Sequence, residues 1–152
     1  MTADDDPRNE ALAAEHAAVW SYGVLAARTS SSANPALVAL FTRAYRAHVG
    51  ARDALLVALS KEKVAPAIAS PSYPLPARLD SPAALKAAAA AVEAHCCEVY
   101  AWLVSRSTGA TRIAAITALE MGAVRELGLR GTPETFPGAA ELADRIGLDT
   151  GP

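Results

Sequence analysis

VAPAIASPSYPLPARLD, residues 64–80, is the stretch that decides the fold of this 152-residue chain. Prolines at positions 66, 71, 74 and 76 lack a backbone N–H and disfavour helix at the preceding residue, so this segment is predicted to stay extended. Seventeen extended residues reach up to about 55 Å, whereas a helix of some 28 residues is about 42 Å long. The segment can therefore carry the chain from one end of a helical bundle to the other.

Four segments around this stretch show apolar residues at helical spacing. Two of them begin with a cap residue followed by proline, at Asn34-Pro35 and at Ser81-Pro82. The third segment follows the proline-rich stretch directly. The predicted helices are about 8–29, 35–63, 81–106 and 110–130.

Connection lengths predict the topology. The joints near 30–34 and 107–109 are short, so the first two helices and the last two should each form an antiparallel hairpin. Two hairpins joined by one long crossover make the ferritin-like form of the four-helix bundle. The prediction is an all-α bundle over 8–131, followed by an extension, 132–152, with room for a short helix over 139–146.

Composition agrees with an all-α protein and restricts its partners. Alanine, the strongest helix former, accounts for 37 residues, and the net charge is −2. There is thus no overall basic field to attract nucleic acid or an anionic membrane, and no apolar run looks long enough to span a bilayer. The acidic N-terminus is unlike a secretory signal, and adjacent Cys96 and Cys97 cannot join distant parts of a fold. We expect a cytoplasmic protein without nucleic-acid or membrane partners.

Ionisable side chains on the predicted core stripes are the main functional signal. Burying an unpaired charge costs several kcal/mol, so such residues are expected to pair with one another or with a ligand. Two tyrosines each follow a stripe glutamate by seven residues and could hydrogen-bond to the polar layer. The predicted polar core network is Glu15, Tyr22, His48, Arg52, Glu93, Tyr100 and Glu120.

A carboxylate-bridged di-metal bundle uses one Glu from each of two helices and Glu-x-x-His from each of the other two. The second helix instead offers Tyr45-x-x-His48, and the fourth offers Glu120-x-x-Ala123. Two ligands of the set are therefore missing, while Arg52 supplies a fixed positive charge that can neutralise carboxylates in place of a metal. The pattern favours a site that has lost its dinuclear metal and no longer acts as an enzyme.

Two alternatives stay open at the sequence level. One is a degenerate oxidoreductase or storage protein that holds a single iron or manganese ion through Glu15, His48, Glu93 and Glu120. The other is a helical bundle that binds a small ligand in a pocket beside Arg52. The favoured interpretation is a non-enzymatic structural or interaction module without a cofactor.

Several segments resemble one family. EHAAVWSYGVL, residues 15–25, is similar to the first helix of the actinobacterial ferritin-like domain family of unknown function, and His48-x-x-x-Arg52-Asp53-Ala-Leu is similar to a later landmark. The resemblance extends through PSYPLP, residues 71–76, and FPG, residues 136–138. It implies a ferritin-like four-helix fold and dimerisation, with no established activity. The chain departs from the family pattern at Ala51, where a second arginine is expected.

Aromatic residues away from the core stripes predict an interface. Trp20 and Trp102 both point away from the predicted core and are surrounded by alanine. Exposed tryptophan among small residues is typical of a surface that another protein covers. We therefore expect a homodimer that uses outward helix faces.

Overall fold

The computed structural model describes residues 6–139, which contain four helices and no strand. The helices are α1 Arg8–Arg28, α2 Pro35–Lys61, α3 Pro82–Arg106 and α4 Gly109–Arg130. The predicted all-α, four-helix fold is thus confirmed. The short helix expected over 139–146 falls almost wholly on residues outside the described range.

Local sequence signals explain where the helices begin and end. The Ser81 hydroxyl caps α3 by accepting from the Ala84 N–H at 3.2 Å, and Pro82 occupies the first turn. Asn34 occupies the N-cap position of α2, although its side chain makes no capping bond. Gly131 ends α4 in the left-handed region at φ 80°, with its N–H bonded to a carbonyl one turn earlier.

Side-chain contacts give the helix directions. Tyr22 of α1 bonds to Glu93 of α3, and Glu15 of α1 bonds to Tyr100 of α3, so these two helices are antiparallel. The hairpin partners α1 and α2 are antiparallel as well, as are α3 and α4. It follows that α2 and α3 run parallel to each other. The segment 64–80 is therefore a crossover that returns the chain along the bundle.

The crossover is fastened to the outside of α1. The Asn9 amide donates to the Ala65 carbonyl at 3.0 Å, and its oxygen accepts from the Ala67 N–H at 2.7 Å. Further along, the rings of Trp20 and Tyr73 pack at 6.0 Å between centroids. Trp20 therefore contacts the crossover of its own chain.

Apolar side chains form a layer toward each end of the bundle. One layer contains the fully buried Leu25 and Phe41 with Leu85, and the other contains Leu12 and Leu59. Each layer collects residues from helix ends that the antiparallel arrangement brings together. The middle of the bundle, between the layers, holds the buried ionisable side chains.

The predicted orientation of α4 is wrong. Its buried residues are Ala115, Gly122 and Glu126, all small or ionisable. Its apolar residues at helical spacing, a pattern that predicts a face turned to the core, are instead exposed; they are Ile113, Ile116, Val124 and Leu127. The physical reason is that α4 packs closely on α3 at Ala115 and Gly122. Leu119 and Leu129 pack inward beside these small residues, and the remaining large apolar residues lie on the opposite face.

The expectation that no apolar segment is long enough to span a membrane needs a correction at α3. By length and composition alone it is apolar enough to cross a membrane, with a mean hydropathy of 1.2 over its best window. In the structure it is the central helix that contacts both α1 and α4, and it carries Glu93 with no exposed surface. Packing inside the bundle thus accounts for part of its apolar character, since 44% of that window is buried.

Candidate functional site

A buried polar cluster crosses the bundle between the two apolar layers. Four helices contribute to it: α1 and α3 each supply a glutamate and a tyrosine, α2 supplies a histidine and α4 supplies an arginine. We call this set the polar cluster. Its members are Glu15, Tyr22, His48, Glu93, Tyr100 and Arg125.

His48 lies at the centre and joins the two carboxylates. Its Nδ1 is 2.7 Å from Glu15 Oε2, and its Nε2 is 3.2 Å from Glu93 Oε1. All three side chains are at most 1% exposed. A carboxylate accepts at both ring nitrogens, which fits a doubly protonated imidazolium that donates from each of them.

The two tyrosines tie α1 and α3 together reciprocally. Tyr22 donates to Glu93 Oε1 and Tyr100 donates to Glu15 Oε1, each at 2.6 Å. Each tyrosine follows the glutamate of its own helix by seven residues, and the antiparallel arrangement brings it to the glutamate of the other helix. The Tyr22 ring also stacks on His48, with centroids 5.4 Å apart.

The fourth helix supplies a cation that sequence reasoning missed. Arg125 Nε lies 3.0 and 2.9 Å from the two carboxylate oxygens of Glu93. One turn before it, a Cβ at Gly122 would come within 2.9 Å of Cys97 Sγ and 3.9 Å of Glu93 Oε2. At the level of the cluster α4 thus presents Gly122-x-x-Arg125, with the i,i+3 spacing of a Glu-x-x-His motif but neither of its ligands.

Two predicted members lie outside the cluster. Arg52 is bonded to the neighbouring Asp53, at 2.8 and 2.9 Å, on the surface of α2. Glu120 is exposed on α4, on the same outward face as Val124. Glu120 was expected in the core because the predicted orientation of α4 was reversed. Arg52 lies at the edge of the apolar stripe of α2, where its long side chain reaches water.

Hydrogen bonds and charges inside the cluster determine which of its groups are protonated. Burial alone would lower the pKa of His48, but hydrogen bonds to Glu15 and Glu93 and their charges outweigh it and raise that pKa to about 9. Burial would raise the pKa of Glu93, yet His48 and Arg125 lower it below the usual value. Burial and the adjacent carboxylates raise the pKa values of Tyr22 and Tyr100, so both phenols stay protonated.

Charge therefore balances inside the cluster at neutral pH. Two carboxylates, Glu15 and Glu93, face one imidazolium, His48, and one guanidinium, Arg125. Among residues 6–139, every buried side-chain nitrogen or oxygen has a hydrogen-bond partner. Such a group satisfies the conditions for burying charge without an added ion.

The residues present do not fit the dinuclear metal of a carboxylate-bridged bundle. A histidine ligand must offer a neutral nitrogen, whereas both nitrogens of His48 face carboxylates. Arg125 brings a positive charge against Glu93, and Glu120 is too far out to contribute. In the described part of the chain, no cluster of three or more His, Cys, Asp or Glu residues has the arrangement to hold a metal ion.

The bundle is open on one side, between α2 and α4. A groove of about 420 Å³ lies there, with walls formed mainly by alanines of the two helices and with Tyr100 and Leu103 of α3 at its base. Arg8, Lys61 and Glu62 lie at one end. Ala51 and Leu55 line the groove, but Arg52, beside which a ligand pocket was predicted, does not.

Comparison with known proteins matches this chain to one family model. The model for a domain of unknown function, DUF4439, matches residues 8–141. A crystal structure of a conserved hypothetical protein, rv2844, from Mycobacterium tuberculosis is similar at 30% sequence identity, with a TM-score of 0.76. The match covers 85% of this chain and 96% of the mycobacterial one. No curated protein matches.

Proposed function

This chain belongs to the DUF4439 family, a domain of unknown function, and we propose that it is a non-enzymatic structural and interaction module whose polar cluster replaces a metal centre. The proposal includes a ferritin-like origin for the bundle, a cytoplasmic location and a homodimer. The charge balance among Glu15, His48, Glu93 and Arg125 is the observation that carries it.

A guanidinium and an imidazolium together can do what a bound cation does for two carboxylates. In a di-metal bundle, positive charge at the centre allows glutamates from different helices to approach each other. Here His48 bridges Glu15 and Glu93, and Arg125 neutralises the second of them. The cluster thereby links all four helices and specifies how they pack, a role for which buried polar groups are known in other bundles.

The burial and hydrogen bonding of the cluster favour a structural role over a catalytic one. Glu15, His48 and Glu93 have almost no exposed surface, so a substrate has no direct access to them. The carboxylate oxygens already accept hydrogen bonds from tyrosine, histidine or arginine. A general base must lie within hydrogen-bond reach of the proton that it abstracts, and these buried carboxylates are instead bonded to side chains of the protein.

Metal content tests the proposal directly. Protein purified without chelator should contain far less than one equivalent of iron, manganese or zinc by elemental analysis. Adding Fe²⁺ or Mn²⁺, or removing metal with a chelator, should leave the melting temperature unchanged, because a ligand that does not bind the native state cannot stabilise it. One equivalent of tightly held metal, lost together with several degrees of melting temperature, would contradict the proposal.

The groove between α2 and α4 favours a second candidate, a small-ligand-binding bundle. Its volume of about 420 Å³ lies in the range of ligand pockets, and its walls are mostly apolar. An apolar molecule with a polar end group near Lys61 would suit its lining. Competition between an environment-sensitive dye and medium-chain carboxylic acids would identify this activity.

A further inference from the structure

The groove between α2 and α4 exists because these two helices do not pack on each other. In the described part of the chain α2 packs on α1 and α4 packs on α3, while contacts between α2 and α4 are sparse. Seven alanines of the two helices line the groove, and their side chains are too short to close it. Val57 also lines it and is 54% exposed. The fold thus leaves an apolar space of its own unfilled.

The charged groups of the groove are gathered at one of its ends. This is the end where α2 finishes and α4 begins, and the three charged side chains there are Arg8, Lys61 and Glu62. The opposite end, at Ala51 and Ala118, is apolar apart from Tyr100, whose hydroxyl already donates to Glu15. The groove therefore suits a molecule that is charged at one end and apolar along the rest.

Hydrogen bonding at the charged end indicates the sign of that group. The Arg8 guanidinium already donates to Glu62 and to Asp6, so these three charges are bonded to one another. Within residues 6–139, neither the Lys61 ammonium nor the hydroxyl of Thr111, in the first turn of α4, takes part in a hydrogen bond or an ion pair. Both side chains line the groove and both can donate. A ligand that meets them is expected to accept hydrogen bonds and to carry negative charge.

We propose that the groove binds a medium-chain monocarboxylic acid, with its carboxylate between Lys61 and Thr111 and its hydrocarbon tail along the alanine walls. An ionised carboxylate only accepts hydrogen bonds, and these two side chains supply donors, one of them charged. The tail covers Val57 and Leu103, apolar surface that α2 and α4 leave open. The wall from Ala51 to Lys61 extends about 15 Å along α2, which limits the length of chain that it can cover.

The inference rests on the second candidate function, the small-ligand-binding bundle, and assigns its ligand class and orientation. It does not depend on a metal-free polar cluster. Tyr100 is the member of the cluster that reaches the base of the groove, and its hydroxyl stays bonded to Glu15. The acid therefore lies beside the cluster without entering it, and a failure to bind acids leaves the structural module of the proposed function unaffected.

Calorimetric titration of the full chain at pH 7 with decanoate, decanol, decylamine and acetate tests the head group and the tail. Decanoate should bind at a single site about fivefold more tightly than decanol, which lacks the charge, and decylamine should bind more weakly than either. Acetate should not bind, because it has no tail to bury. Decanol or decylamine binding as tightly as decanoate overturns the choice of an acid and leaves the small-ligand candidate standing. If none of the three long-chain compounds binds, both are overturned.

Two pairs of variants at exposed positions locate the site. Lys61→Met keeps the aliphatic stem but removes the charge, so decanoate should bind about fivefold more weakly and decanol as before; Lys63→Met, outside the groove, is the control. Ala54→Phe fills the groove from its wall and should weaken decanoate binding at least about tenfold, whereas Ala39→Phe places the same ring on α2 outside the groove and should not. With unchanged circular dichroism spectra, wild-type affinity in Lys61→Met or Ala54→Phe, or equal losses in the controls, overturns this binding mode.

Discussion

Removal of the Arg125 guanidinium should destabilise the protein strongly, because this group balances a carboxylate that has no exposed surface. Arg125→Met keeps most of the side-chain volume but leaves Glu15 and Glu93 facing His48 alone. Breaking a buried ion pair from one side costs about 3–5 kcal/mol. The Arg125 side chain is 22% exposed, so water can partly replace it, and we expect about 3 kcal/mol.

Urea unfolding at pH 7, followed by circular dichroism at 222 nm, measures this loss. In a domain of this size 1 kcal/mol corresponds to about 2–4 °C, so the melting temperature should fall by about 6–12 °C. Arg52→Met is the matched control, since it removes the same group from the surface pair with Asp53. That variant should stay within about 0.5 kcal/mol of the wild type.

Comparing the urea unfolding of the two arginine variants can refute this reasoning. If Arg125→Met unfolds at the same urea concentration as the wild type, Glu93 does not depend on a guanidinium and the charge balance is not what stabilises the cluster. Equal losses in both variants would show that the effect is a general one of reduced positive charge.

Three further changes test other parts of the structure. In the folded protein the pKa of His48 is raised to about 9, above its unfolded value of about 6.5. Its contribution to the free energy of unfolding is therefore complete below pH 6.5 and is lost as the pH rises to 9. Urea unfolding across that range should show a loss of about 3 kcal/mol that His48→Gln abolishes. Gly122→Ala should lower the melting temperature because its Cβ would lie 2.9 Å from Cys97 Sγ, whereas Gly128→Ala, which meets open space, should raise it slightly. Tyr22→Phe leaves a buried carboxylate short of one donor and should cost about 1–3 kcal/mol in urea unfolding.

The order of elements could be predicted from sequence because simple steric rules govern it. Prolines between 66 and 76 exclude a helix whatever the tertiary context, and short joints leave hairpin helices no choice but to pack side by side. Most of the polar cluster was also visible in the sequence. Glutamates and a histidine on otherwise apolar stripes stand out because they violate the pattern, and the tyrosines seven residues after Glu15 and Glu93 were expected to hydrogen-bond to the polar layer.

The fourth helix could not be placed by the same reasoning. The prediction of orientation assumed that the most apolar face of a helix is buried, and in α4 that face is exposed to solvent. Once the stripe is oriented inward by mistake, Glu120 falls in the core and Arg125 on the surface. The signal that could have found Arg125 is charge. Once Arg52 lies outside, Glu15 and Glu93 with one histidine leave an excess negative charge, which a cation on the remaining helix can balance.

Both unusual features of α4 have a common physical cause. A helix that must bring a guanidinium to a buried carboxylate on its neighbour needs to approach that neighbour closely, and at Gly122 the clearance from Cys97 leaves no room even for a methyl group. Small inward residues bury less apolar surface than large ones, so within its own bundle α4 depends mainly on Leu119 and Leu129 for hydrophobic stabilisation. Its isoleucines are 39% and 67% exposed and contribute less than core residues do, so the neutralised core and the exposed stripe are two consequences of one packing constraint.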